Sequence, residues 1–95
     1  MDAYSPEQIA EITGGTVLNG SQGPVTGVSI DSRRVNNGDL FVAVTTQTND
    51  GHRFVADAFA KGAKAALVDR KKTEAHLREW DIYTLIAVDD PVAAL

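Results

Sequence analysis

Two short polar clusters hold the side chains of this 95-residue chain that could do chemistry. Asp31-Ser32-Arg33 follows the run Val28-Ser29-Ile30, and Asp50-Gly51-His52 follows the polar stretch Thr45-Thr46-Gln47-Thr48-Asn49. The first cluster offers a carboxylate, a hydroxyl and a guanidinium. Either Asp31 or Ser32 bonds a nearby backbone N–H and leaves Arg33 in solvent, or hydroxyl and cation converge on a nucleotide. The second is open in the same way, because Asp-Gly is a common turn and His52 can cap a helix that begins there. The loop ahead of it supplies hydroxyls, an amide and backbone N–H groups, which suit phosphate or uracil recognition without net positive charge. His52 and His76 lack the neighbouring carboxylate or Cys ligands of a metal centre. No Ser/His/Asp arrangement can be argued, and no G-x-x-x-x-G-K-[ST] phosphate loop is present.

The elements that must position these clusters alternate along the chain. Ser5-Pro6-Glu7-Gln8 opens a helix, with Ser5 as N-cap, Pro6 at the first helical position and Gln8 completing a capping box. Ile9 and Ile12 are expected to face inward beside Ala10, and Thr13-Gly14-Gly15 to stop the helix in a left-handed turn. Thr16-Val17-Leu18 reads as a strand, residues 19–24 as a loop, and Val25 to Ile30 as a second strand interrupted at Gly27. Asn36-Asn37-Gly38-Asp39 is a turn that feeds Leu40 to Val44, the most apolar strand and the expected centre of the sheet. From Arg53 the period becomes helical and closes at Lys61-Gly62. Ala65 to Val68 then reads as a buried strand, Thr73 to Trp80 as a short helix with Leu77 and Trp80 inward, and Ile82 to Val88 as a last strand. Helices of this length join parallel strands by right-handed crossovers. The reading is thus an α/β fold: a small mixed sheet of about five strands flanked by short helices, with the early hairpin-like strands as an antiparallel edge.

Composition narrows the partners. A length of 95 residues is one domain, and 43% hydrophobic with 23% charged residues is ordinary globular usage. No apolar run approaches the roughly 20 residues of a membrane span, and the start lacks a basic segment followed by an apolar one. The expectation is a cytoplasmic protein without membrane association. The net charge of −4 and scattered Lys and Arg, apart from Asp69-Arg70-Lys71-Lys72, argue against nucleic acid. Without cysteine there is no disulfide and no thiolate chemistry. Asp90-Pro91 begins a helix that has about one turn to run, so residues 89–95 are expected to start a connection to a further domain, with 1–88 as the first.

Taken together, the clusters resemble the amino-terminal domain of the Mur ligases. The pattern is Asp31-Ser32-Arg33, then Gly38-Asp39-Leu40-Phe41-Val42-Ala43, Asp50-Gly51-His52, Phe54, and Lys61-Gly62-Ala63 leading to Ala65-Ala66-Leu67-Val68. Within the family, Ile9-Ala10-Glu11-Ile12-Thr13-Gly14-Gly15 looks most like the member that adds D-alanyl-D-alanine to the UDP-N-acetylmuramoyl tripeptide. The member adding the third stem residue, meso-diaminopimelate or lysine, shares the later cassette. A ligase fused to an alanine racemase, and a non-catalytic α/β interaction module on the same scaffold, are the other readings.

The resemblance implies a division of labour in peptidoglycan precursor synthesis. The first domain would hold the UDP part of UDP-N-acetylmuramoyl-peptide, while a central domain binds ATP and Mg2+ and a last domain brings D-alanyl-D-alanine. The full-length ligase would activate a substrate carboxylate as an acyl phosphate, with no catalytic residue, cofactor or metal in this chain. Ser32 would lie near uracil or ribose, and Arg33 near the diphosphate or as a loop anchor. Thr45, Thr46 and Gln47 would surround the nucleotide, and Asp50 and His52 would shape that loop or touch substrate. Thr46 stands where many relatives carry Gly, and its side chain restricts close backbone approach to a ligand.

Overall fold

A computed structural model describes residues 4–19, 24–43, 51–75, 80 and 83–89. Helix α1 (Pro6–Thr13) starts as its sequence demands. The Ser5 hydroxyl accepts the Gln8 N–H at 3.1 Å, and the Gln8 side chain accepts the Ser5 N–H at 2.8 Å. It ends at Gly14, whose φ of 74° is the left-handed cap. Ala10 is buried and Ile9 partly so, but Ile12 is 73% exposed, contrary to the inward position expected for it. The reason is angular: two residues beyond Ala10 lies about 200° round the helix, on the solvent side.

Five strands form one sheet in the order β1-β5-β4-β3-β2. They are β1 (Thr16–Leu18), β2 (Gly27–Ser29), β3 (Asp39–Val42), β4 (Ala65–Asp69) and β5 (Leu85–Val88). β1 pairs antiparallel with β5, whereas β2, β3, β4 and β5 run parallel. The antiparallel edge is therefore β1 alone. β2 lies at the opposite edge, too far away for a hairpin with β1, and residues 30–38 carry the chain back to start β3 beside it. Val25, expected inside the second strand, instead makes an isolated bridge with Tyr4. The apolar β3, expected to be central, is an interior strand paired with both β2 and β4, and β4 is the middle one of the five. All four residues of β3 and of β5 are buried, so apolarity alone does not distinguish the strands.

The crossovers follow the expected alternation with shifted boundaries. A 3-10 turn, Gly51–Phe54, precedes α2 (Val55–Ala60), and Gly62 at φ 111° turns the chain toward β4. Helix α3 (Arg70–Ala75) begins earlier than the expected Thr73, because Asp69 Oδ1 accepts the Lys71 N–H at 2.8 Å and caps it. Trp80 is buried as expected; Val44, Leu77 and the helix start at Asp90-Pro91 lie outside the described residues.

Strand alternation then splits the core between the two faces of the sheet. Phe41, Ala66, Val68 and Leu85 pack with Val55 and Ala58 of α2, Val35 and Trp80. On the other face Leu40, Val42, Ala65, Leu67, Ile86 and Val88 pack with Ala10 of α1 and Val25. The consequence for function is directional. Because β2 to β5 are parallel, the residues that follow each of them emerge along one edge of the sheet.

Candidate functional site at the strand exits

At the exit of β2 the chain folds into a 3-10 turn, Ser32–Arg34, capped by its own first cluster. Asp31 Oδ1 accepts the Arg33 backbone N–H at 2.9 Å and the Arg33 Nε–H at 3.1 Å, and Oδ2 accepts Nη2–H at 3.1 Å. Arg34 Nε lies 4.0 Å from the same carboxylate. The side-chain hydrogen bonds from Arg33, then its backbone N–H, hold the Asp31 carboxyl at about 2, and the same contact raises Arg33 further. This is the geometry of the first alternative raised from sequence: the carboxylate caps the turn, and the guanidinium side chain stays 83% exposed, paired with Asp31. Ser32 is buried, and its hydroxyl has no hydrogen-bond partner among the described residues.

At the exit of β3, Ala43 is buried and bonded through its N–H to the Leu67 carbonyl at 3.0 Å. Thr45, Thr46, Gln47 and Asp50 follow it outside the described residues. His52 comes back to the sheet. It is 3% exposed, its Nε2 accepts the Asp69 N–H at 2.9 Å, and its ring stacks on Trp80 with centroids 6.1 Å apart. The imidazole thus ties the turn after β3 to the junction of β4 and α3. It is held by protein partners rather than presented on the surface.

The turns bearing Ser32 and His52 meet the same helix. α2 packs against Ser32–Arg34 and continues directly from Gly51–Phe54. Ser32, Arg33 and His52 are therefore brought to one edge, although Arg33 spends its ion pairing on Asp31.

That edge continues past the residues singled out from sequence. Asp69 and Arg70 at the exit of β4, Lys71, and Asp89 after β5 line an open pocket of about 400 Å³. Arg70 donates from Nη2 to the Ala87 carbonyl at 3.1 Å, with its Nε 3.7 Å from Asp89 Oδ1. The sequence signal for it is an Asp that closes the buried run from Ala65 and caps the helix that follows. No three His, Cys, Asp or Glu side chains cluster to hold a metal ion among the described residues. None of the described helices is long and apolar enough to cross a membrane.

Comparison with known proteins gives these exits a context. Residues 24–93 match the Mur ligase family, catalytic domain. The chain is 34% identical over 91 residues to the UDP-N-acetylmuramoyl-tripeptide--D-alanyl-D-alanine ligase of Bacillus subtilis, covering 94% of this chain and 19% of that protein. It is 37% identical over 71 residues to the UDP-N-acetylmuramoyl-L-alanyl-D-glutamate--2,6-diaminopimelate ligase of Cytophaga hutchinsonii, covering 75% of this chain and 14% of that one. In structure it is similar to MurF from Acinetobacter baumannii, with a TM-score of 0.76 at 23% identity, over 99% of this chain and 20% of that one. A MurF ligase from Thermotoga maritima, solved in complex with ADP, gives 0.55 at 29% identity over 73% of this chain and 14% of that one. The chain spans a fifth or less of the length of each of these relatives.

Proposed function

The chain belongs to the Mur ligase family, and from that premise we propose that residues 1–88 are the amino-terminal, UDP-substrate-binding unit of a peptidoglycan precursor ligase. The whole ligase would add D-alanyl-D-alanine to UDP-N-acetylmuramoyl tripeptide in the cytoplasm, with residues 89–95 leading toward its ATP-binding part. One observation carries the reading. The turn at Ser32–Arg34 and the turn holding His52 stand on one sheet edge, in a chain similar to the tripeptide ligase over 94% of its length. Similarity to the diaminopimelate-adding ligase spans 75% of the chain, which favours the first substrate class over the second.

In this reading the chain contributes grip rather than bond-making. Ser32, with an uncommitted hydroxyl, would address uracil or ribose, together with Thr45, Thr46 and Gln47. Asp31 would fix Arg33 as a loop anchor, and Asp50 and His52 would shape that loop or touch substrate, with His52 bonded to the Asp69 N–H at the end of β4. Holding the nucleotide far from the reacting carboxylate lowers the entropic part of the barrier, since a fixed substrate reacts as if intramolecularly. ATP and Mg2+ do not fit the described residues, which lack a metal-holding cluster, while the chain lacks a G-x-x-x-x-G-K-[ST] loop. In the proposal both belong to the rest of the ligase.

Titration of the 95-residue protein with UDP-N-acetylmuramoyl tripeptide, followed by amide NMR, tests the assignment. Shifts are expected at Ser32, Arg33 and residues 45–47. Shifts confined to α1 and β1 would overturn it. Turnover of the full ligase with D-alanyl-D-alanine against meso-diaminopimelate separates the two substrate classes.

A further inference from the structure

We infer that the pocket between the exits of β4 and β5, lined by Asp69, Arg70, Lys71 and Asp89, is an oxyanion subsite. The cations on this edge differ in what they already bind. Arg33 donates its Nε–H and Nη2–H to Asp31, and Arg34 Nε lies 4.0 Å from the same carboxylate. The Lys71 ammonium, in contrast, is exposed and has no ion-pair partner among the described residues. Arg70 sits beside it with its guanidinium already steered by the Ala87 carbonyl at 3.1 Å, so little side-chain freedom is left to lose on binding.

The two carboxylates do not cancel this. Asp69 turns Oδ1 to the Lys71 N–H as a helix cap. Asp89 is 92% exposed and 3.7 Å from Arg70 Nε, an ion pair of the weak surface kind. A ligand oxyanion that takes two N–H donors of Arg70 at once would displace it, because paired donors on a planar guanidinium outbid a single long contact. Asp89 is then a placeholder that an anion exchanges with. A volume of about 400 Å³ accommodates a phosphate or carboxylate with part of the group that bears it.

The His52–Asp69 bond sets this pocket beside the turn that follows β3, since His52 Nε2 accepts the N–H of a pocket residue at 2.9 Å. Identification of the anion rests on that earlier reading. On it, the oxyanion is the nucleotide diphosphate or a carboxylate of the attached peptide.

The experiment is amide NMR on the 95-residue protein and two variants, Lys71→Glu and Asp89→Asn, both at exposed positions. The probes are uridine, inorganic pyrophosphate, UDP and UDP-N-acetylmuramoyl tripeptide. Pyrophosphate and UDP are expected to shift Arg70, Lys71 and Asp89, and uridine to leave them in place. Lys71→Glu should weaken UDP roughly tenfold, by reversing one contact of the charge-assisted kind. Asp89→Asn should tighten it about two- to fivefold, by removing the competing carboxylate. Shifts here with the tripeptide substrate but not with UDP identify the peptide carboxylate as the anion and also support the subsite. Silence at these residues with all four probes, or a Lys71→Glu variant that leaves unchanged the affinity of whichever probe shifts them, overturns it. Uridine shifts at Ser32 with silence here would sink the subsite alone; pyrophosphate shifts here with no uridine response at Ser32 or 45–47 would sink the nucleotide reading alone.

Discussion

Replacing His52 by phenylalanine removes the acceptor of the Asp69 N–H. The imidazole is 3% exposed, accepts the Asp69 N–H at 2.9 Å and lies on Trp80 at an interplanar angle of 22°. A phenyl ring can keep the stack, is somewhat larger than the imidazole, and cannot accept a conventional hydrogen bond. The Asp69 amide, at the point where β4 becomes α3, then loses its partner. A buried donor left without an acceptor costs about 1–3 kcal/mol, a large share of the roughly 5–15 kcal/mol that holds a domain together. His52→Ala also gives up the ring contact and opens a cavity, which takes the loss to about 3–5 kcal/mol. Urea unfolding read through Trp80 fluorescence measures both variants, with m unchanged if the denatured state is unaffected. Hydrogen exchange at the Asp69 amide gives the local signature, faster in His52→Phe than in the parent. A His52→Phe protein within about 0.5 kcal/mol of the parent, the range of an ordinary surface change, refutes the role given to the Nε2 bond.

The Asp31 carboxyl should titrate at about 2 rather than at an ordinary 3.8, because Arg33 binds its charged form. Since folding depresses it, the stability it contributes is complete above about 3.8 and is lost as pH falls toward 2. Carboxyl-carbon NMR should show Arg33→Ala moving that titration back upward; an unmoved midpoint would contradict the pairing. Gly62→Ala should destabilise by roughly 1–3 kcal/mol. It forces a side chain into φ 111° and sets a Cβ 2.9 Å from the Asn37 Cα. Thermal melting reads the loss, and an unchanged midpoint would mean that the β3 turn yields freely.

The local chemistry of this chain was legible wherever a short stretch satisfies itself. Ser5, Pro6 and Gln8 specify α1, and Gly14 and Gly62 take the positive φ that their neighbours require. Apolar runs gave β3, β4 and β5 and their parallel alternation with helices. Asp31 beside Arg33 announced a self-capping turn. Three things were decided only by the assembled fold. The partner of an edge strand is set by which edge its connection reaches, so β1 and β2 end on opposite sides although both looked fit for a hairpin. The buried face of α1 depends on how the helix is rolled onto β1 and β5, which left Ile12 in solvent. Finally, His52 meets Asp69 across 17 positions of chain, and Arg70 meets Asp89 across a crossover, because parallel strands bring their ends together in space. No pattern of neighbours in sequence encodes those meetings; they follow from closing the sheet.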